Sequence, residues 1–262
     1  MSSWIKRIGK IFEDQDQEAR AGNVELAGMD AAIFNSYAPV IKSVIPYFGE
    51  LTIADQWRFV RRTHQFQQLK KFHYVGLKED PVIPVLVSAS ATQVTFGLKN
   101  YLLPHFTDIY ITGEAYQMES DEELYVGHVA PDGIYLSWKH FLFGYADRYD
   151  NINVGIHEMA HALLYNNYFA QYGQNDPHFR FNYEKFSKST GPILADVITH
   201  RRSYLRSYAF SNMHEFWAVS VEAFFEGPAE LKKNMPALYQ AICHVLNQDL
   251  TMPKKIINPD GL

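Results

Sequence analysis

Apolar positions along the chain recur first at helical spacing, then in alternation, then at helical spacing again. Up to about residue 50 the pattern predicts helices broken at Gly22, Gly28, Pro39, Pro46 and Gly49. Thr52 then reads as the N-cap of a helix, with Asp55 in its first turn and Trp57, Phe59, Val60 and Phe66 as apolar positions. Residues 81–96 fit two descriptions. Val82, Ile83, Val85, Leu86 and Val87 suit a strand, whereas Ala89, Ala91 and the length of the run suit a buried helix. Strands are predicted at Asp108–Ile111 and Leu124–Val129, and Pro131-Asp132-Gly133 turns the second into Ile134–Trp138 as a hairpin.

Helical spacing returns at Asn151. One helix is predicted over about Val154–Tyr168, another over about Pro192–Ser203, and a third over about Met213–Glu226, stopped by Gly227-Pro228. Pro236 suits the first turn of a last helix reaching about Asn247. Helices, a small sheet and helices again make an α+β arrangement.

The 262 residues are 47% hydrophobic and 15% aromatic, enough for a large core and far from a disordered composition. A net charge of −5 with no long basic run argues against nucleic acid as a partner. One cysteine, Cys243, excludes a disulfide or a cysteine-based metal site within the chain and favours a reducing, cytoplasmic setting. The segment Met1–Phe12 lacks the apolar core of a secretory signal. It sets Trp4, Ile5, Ile8, Ile11 and Phe12 among Lys6, Arg7 and Lys10 at helical spacing, a pattern that suits packing on the domain better than lying on an anionic membrane. The uncharged run from Pro81 to Leu98 holds too many prolines, hydroxyls and amides for a membrane span, so no transmembrane segment is expected.

The chemistry is concentrated in His157-Glu158-Met159-Ala160-His161. Residues four apart share a helix face, so His157 and His161 present two imidazoles to one tetrahedral zinc ion. Glu158 reaches the water held by such an ion and serves as general base. The uncharged Met159, Ala160 and Ala162 and the apolar Leu163 give the helix the surroundings of a buried active site. A catalytic zinc needs a third protein ligand and an open position. Six residues after His161, where one large class carries a further histidine, this chain has Asn167. A carboxylate on a later helix is the usual alternative, and Glu215 and Glu222, seven apart, both qualify. Glu215 equally fits a capping box with Asn212, and Glu222 equally fits a bond to the back of a zinc-bound histidine, so the pattern alone leaves both open.

Several stretches together resemble the zinc-dependent peptidase family of Mlc titration factor A, whose catalytic core is similar to that of the anthrax lethal factor protease. They are Gly133-Ile134-Tyr135-Leu136-Ser137-Trp138, then Asn153-Val154-Gly155-Ile156-His157-Glu158-Met159-Ala160-His161, then Glu215–Glu226, Pro236-x-Leu238-Tyr239 and Gln248-Asp249. The resemblance runs over about residues 50–250. It implies a mostly helical, zincin-like domain over 51–262 with a small mixed sheet beside the active-site helix, preceded by an N-terminal helical extension over 1–50. It implies Glu215 as the third zinc ligand, Tyr208 as a phenol that assists the reaction, and Glu222 behind the ligands. It also implies peptidase activity, of aminopeptidase type on short unblocked peptides. The family's name carries the alternative of a regulatory protein that sequesters a transcriptional repressor, with zinc in a structural role; an intact Glu158 argues for catalysis. Ile134–Trp138 is expected to offer its edge to an extended peptide.

Overall fold

A computed structural model describes residues 28–118, 123–147, 150–169, 175–200 and 204–252. The amphipathic segment Met1–Phe12 and the expected break at Gly22 lie outside these residues. Helix α1 (Gly28–Val44) and the short α2 (Pro46–Gly49) lead into α3 (Ile53–Gln68). The α3 cap forms as the sequence indicates, with Thr52 Oγ1 accepting the Asp55 N–H at 3.2 Å. Pro39 does not break α1. Phe34 of α1 stacks on Trp57 of α3 with centroids 4.0 Å apart, and Ile41, Ile45 and Phe48 are buried in the same core as α3.

Residues 81–96 resolve as a helix, α4 (Val82–Thr95). It is buried all round, which is why its sequence carries no amphipathic stripe to separate it from a strand. The hydroxyls of Ser90, Thr92 and Thr95 donate to the carbonyls of Val87, Ser88 and Ala91 in the preceding turn, so their burial leaves no hydrogen bond unmade.

A strand that the sequence reading did not anticipate, β1 (Lys71–Val75), precedes α4 and pairs in parallel with β2 (Asp108–Thr112). The expected strand at 124–129 is split at Val126. Its first part, β4 (Leu124–Tyr125), forms a two-stranded ribbon with β3 (Tyr116–Gln117), and its second, β5 (Gly127–Ala130), joins the main sheet. β5 forms the expected hairpin with β6 (Gly133–Ser137), which ends one residue early because Trp138 opens α5 (Trp138–Ala146). The main sheet has the order β1-β2-β6-β5. This corrects the expected peptide-binding edge: β6 is paired on both sides, and the edge strands of this sheet among the described residues are β1 and β5, of which β5 lines the cleft.

The C-terminal half supplies α6 (Val154–Phe169), α7 (Pro177–His200), a 3-10 turn (Ser207–Phe210), α8 (Met213–Glu226), α9 (Pro228–Asn234) and α10 (Pro236–Leu246). Here the sequence reading misplaced one start. α7 begins at Pro177 and continues through Pro192 at the cost of a backbone hydrogen bond, where a first-turn proline was expected. Among the described residues no helix is long and apolar enough to cross a membrane.

α6 lies between the sheet and α8. Ile109, Ile111, Ile134 and Leu136 on one sheet face, and Ile156, Met159 and Leu163 of α6, are all buried in the core. Trp217 of α8 is fully buried, and its indole N–H donates to Ala160 O at 3.0 Å, tying α8 to the turn of α6 between His157 and His161. Gly155 sets the approach of α5: a Cβ there would come within 2.7 Å of the buried Phe141 ring. Gly155→Ala is therefore expected to destabilise the fold by about 1–3 kcal/mol through overpacking, read by denaturant unfolding. An unchanged unfolding midpoint would show that α5 and α6 are not in close contact.

Candidate metal centre

Placing the functional groups begins with the ends of two helices. Asn153 caps α6: its Oδ1 accepts the Ile156 N–H at 3.0 Å, and His157 and Glu158 follow in the first turns. Asn212 caps α8, its Oδ1 accepting the N–H groups of His214 at 2.9 Å and Glu215 at 3.0 Å. Glu215 thus sits in a first turn, where the helix dipole favours a carboxylate. Its carboxyl is directed at the histidines of α6: Oε2 lies 3.1 Å from His157 Nε2, and Oε1 lies 3.4 Å from His161 Nε2. The two Nε2 atoms are 3.0 Å apart.

These separations fit a bound ion. Three donors at about 2.0–2.1 Å from a tetrahedral centre stand roughly 3.3–3.4 Å from one another. His157, His161 and Glu215 form the one such His/Cys/Asp/Glu group among the described residues, their ligand atoms all within 4.8 Å. Glu215 Oε2 is buried, 3.1 Å from His157 Nε2, and has no hydrogen-bond partner. Charge agrees. Among the described residues, Glu158, Glu215 and Glu222 bring three carboxyl groups around His157 and Arg206 brings a guanidinium, an acidic balance that suits a divalent cation.

Glu222 takes the other side of His157. It is fully buried and accepts three bonds: His157 Nδ1–H at 2.5 Å, the Asn153 backbone N–H at 2.8 Å and Arg206 Nη2–H at 2.5 Å. A proton fixed on Nδ1 leaves the Nε2 lone pair for the ion. Of the two carboxylates that the sequence left open, Glu215 faces the point between the histidines and Glu222 the back of a ring. Asn167, where another class has a histidine, is structural: its side chain donates to Leu163 O and accepts the Asp176 N–H.

Glu158 is 4% exposed, and its Oε2 has no hydrogen-bond partner. Burial pushes its carboxyl up to about 7, with the charge of His157 opposing and those of Glu215 and Glu222 assisting. For His157, burial lowers the pKa, but the neighbouring carboxylates of Glu215 and Glu222 outweigh it and raise the ring to about 10. His161 is lowered by burial, with Glu215 opposing. For Glu215, burial works against ionisation, yet the two imidazoles hold it well below the usual carboxylate range. Tyr208, from the 3-10 turn, is half exposed with its ring 6.1 Å from that of His157. Burial, then the charges of Glu215 and Glu158, raise its phenol, which keeps it a donor.

All five predicted residues, His157, Glu158, His161, Tyr208 and Glu215, line one cleft of about 820 Å³. Three contributors escaped the sequence reading. Arg206 meets Glu222 across sixteen residues, a separation that no local pattern marks. Asn153 was legible as a helix cap but not as a donor to Glu222. Gly127 of β5 lies against Glu158: a Cβ there would stand 2.7 Å from both its Cγ and its Oε1. Its signal was a glycine inside a strand, which marks a close approach.

A cluster of two histidines and one carboxylate shared by two helices, with a further carboxylate beside it in an open cleft, has the donor set of a metal-dependent hydrolase, and the family match makes the chain a metallopeptidase. It belongs to the family described as glucose-regulated metallo-peptidase M90, which matches residues 25–246. It is also 22% identical over 218 residues to an uncharacterized protein of Synechocystis sp., an alignment that covers 76% of this chain and 78% of that protein.

Two outcomes follow from this geometry. Below pH about 10 the metal-free His157 holds a proton that the ion must displace. Metal affinity should therefore rise with pH over that range and uptake near pH 7 should release about one proton, measurable by calorimetry in buffers of differing ionisation enthalpy. Buffer-independent heats would contradict it. Gly127→Ala should retain the metal yet lower kcat about 100-fold or more by displacing Glu158, in keeping with the weight of a general base. Wild-type turnover in that variant would show that Glu158 does not depend on the close approach of β5.

Proposed function

We propose that this protein is a zinc-dependent peptidase in which His157, His161 and Glu215 hold the ion and Glu158 is the general base. The observation that carries this reading is the convergence of two imidazole nitrogens 3.0 Å apart with the two oxygens of one carboxylate, at 3.1 and 3.4 Å from them, beside a buried carboxyl with an unengaged oxygen. Zinc, when bound, polarises the scissile carbonyl and lowers the pKa of a water molecule to about 7.

The remaining chemistry belongs to the chain. Glu158, raised to about 7, takes a proton from the attacking water and returns it to the leaving amine near neutral pH. Tyr208 donates its phenolic hydrogen to the carbonyl oxygen as negative charge develops there. Glu222 and Arg206 hold the His157 ring by Nδ1 so that Nε2 stays turned to the cleft. Gly127, His128 and Val129 line the cleft from β5, whose free edge pairs with an extended substrate. The family resemblance supports extending the proposal to aminopeptidase-type action on short unblocked peptides, and the single cysteine, Cys243, supports a reducing, cytoplasmic setting for it.

The test compares wild type with Glu158→Gln and Tyr208→Phe on N-blocked and unblocked peptides, with zinc content measured on each sample. Glu158→Gln should keep its zinc and lose at least 100-fold in kcat. Tyr208→Phe should keep its zinc and lose about 10–100-fold, and chelation should abolish activity in wild type. Zinc-replete wild type that hydrolyses no peptide would overturn the reading, and equal rates on blocked and unblocked peptides would overturn its aminopeptidase part.

A further inference from the structure

The helix face that carries the two histidines continues as a wall of rings. Residues 157, 161, 164–165 and 168–169 follow one another at three- and four-residue spacing and so form one stripe along α6. Beyond His161 that stripe consists of Leu164, Tyr165, Tyr168 and Phe169, which line the same cleft, and Tyr183 of α7 joins them. The rings brace one another. Tyr165 and Phe169 lie 4.5 Å apart, and Tyr168 meets the buried Tyr183 edge to face at 5.7 Å. At about 1.5 Å of rise per residue, Tyr165 and Tyr168 stand roughly 6 and 10 Å along the helix from His161. That is the reach of a long side chain on a peptide residue adjoining a bond held at the histidines.

Two further observations say what fits there. Tyr168 is 42% exposed and Phe169 63% exposed, so large apolar surface faces the cleft uncovered. Among the described residues lining the cleft, the carboxyl groups are those of Glu158 and Glu215, both assigned to the proposed chemistry, and there is no lysine, arginine or aspartate. Arg180 and Glu184 of α7 stand beside Tyr168 but face each other as an ion pair at 3.8 Å, so the lining itself offers a charged substrate side chain no partner of opposite sign, whereas an aromatic one covers exposed rings.

We infer that Leu164, Tyr165, Tyr168, Phe169 and Tyr183 form a specificity pocket that selects a large apolar, preferentially aromatic, side chain next to the scissile bond. The inference rests on the peptidase reading and names its substrate class. The test uses peptides that differ only at one position flanking the scissile bond, on either side of it, carrying Phe, Leu, Ala, Glu or Lys. At one of the two positions the zinc enzyme should favour Phe over Ala about tenfold or more in kcat/KM, with Glu and Lys below Ala. Tyr168→Ala and Phe169→Ala alter exposed rings and should cut the Phe/Ala ratio about tenfold when combined, while Tyr168→Phe keeps it. Zinc-loaded Glu158→Gln should show the same Phe/Ala ratio in Kd by fluorescence titration. A Phe/Ala ratio at or below one on both sides, or a wild-type ratio in the combined variant, would overturn the pocket and leave the peptidase standing. Absence of all hydrolysis would instead overturn the peptidase, and the Kd ratio would then decide the pocket by itself.

Discussion

Two carboxylates, Glu215 and Glu222, meet the imidazoles of His157 and His161 between α6 and α8, beside the buried Ile156, Met159, Trp217 and Val219. Ionised groups in such surroundings are tolerated only when each has a partner of opposite sign or a hydrogen bond. Glu222 is satisfied entirely within the chain, by His157, Arg206 and the Asn153 backbone. Glu215 is not, since its Oε2 is buried without a hydrogen-bond partner. The cluster is complete on its back side and incomplete on the side facing the cleft, which is where the proposed cation would complete it.

The surrounding fold holds that asymmetry in place. Two asparagine caps fix where α6 and α8 begin, and hence which of their residues face each other. The bond from Trp217 to Ala160 fixes the height of one helix against the other. Gly127 lets β5 approach closely enough to hold Glu158 upright in the cleft. Each contact fixes an element that carries a proposed functional group, so packing errors at these points would be read as lost activity as much as lost stability.

The parts of this arrangement that follow local rules were legible in the sequence. The period of four placed His157 and His161 on one face, and Asn212 and Gly227-Pro228 marked both ends of α8. Where burial is complete on every side, local rules fall silent. α4 has no polar face to set its period, and so its sequence fits a strand as well as a helix. Proline misled in the other direction, since Pro39 and Pro192 are carried inside helices that the rest of the core sustains. The choice between Glu215 and Glu222 depends on how α8 is rotated against α6, a tertiary quantity that the pattern left open and the family resemblance supplied. Arg206, whose partner lies across that same interface, left no trace in the pattern at all.

The most direct test of the metal centre is X-ray absorption spectroscopy on the zinc-loaded full chain, with the zinc stoichiometry determined on the same sample. The account predicts one ion per chain, four-coordinate, with two imidazole nitrogens and carboxylate oxygen at about 2.0–2.1 Å. In Glu215→Ala the histidine signal should remain and the affinity should fall. A sulfur ligand, a shell without imidazole, or failure of the chain to retain zinc would contradict it.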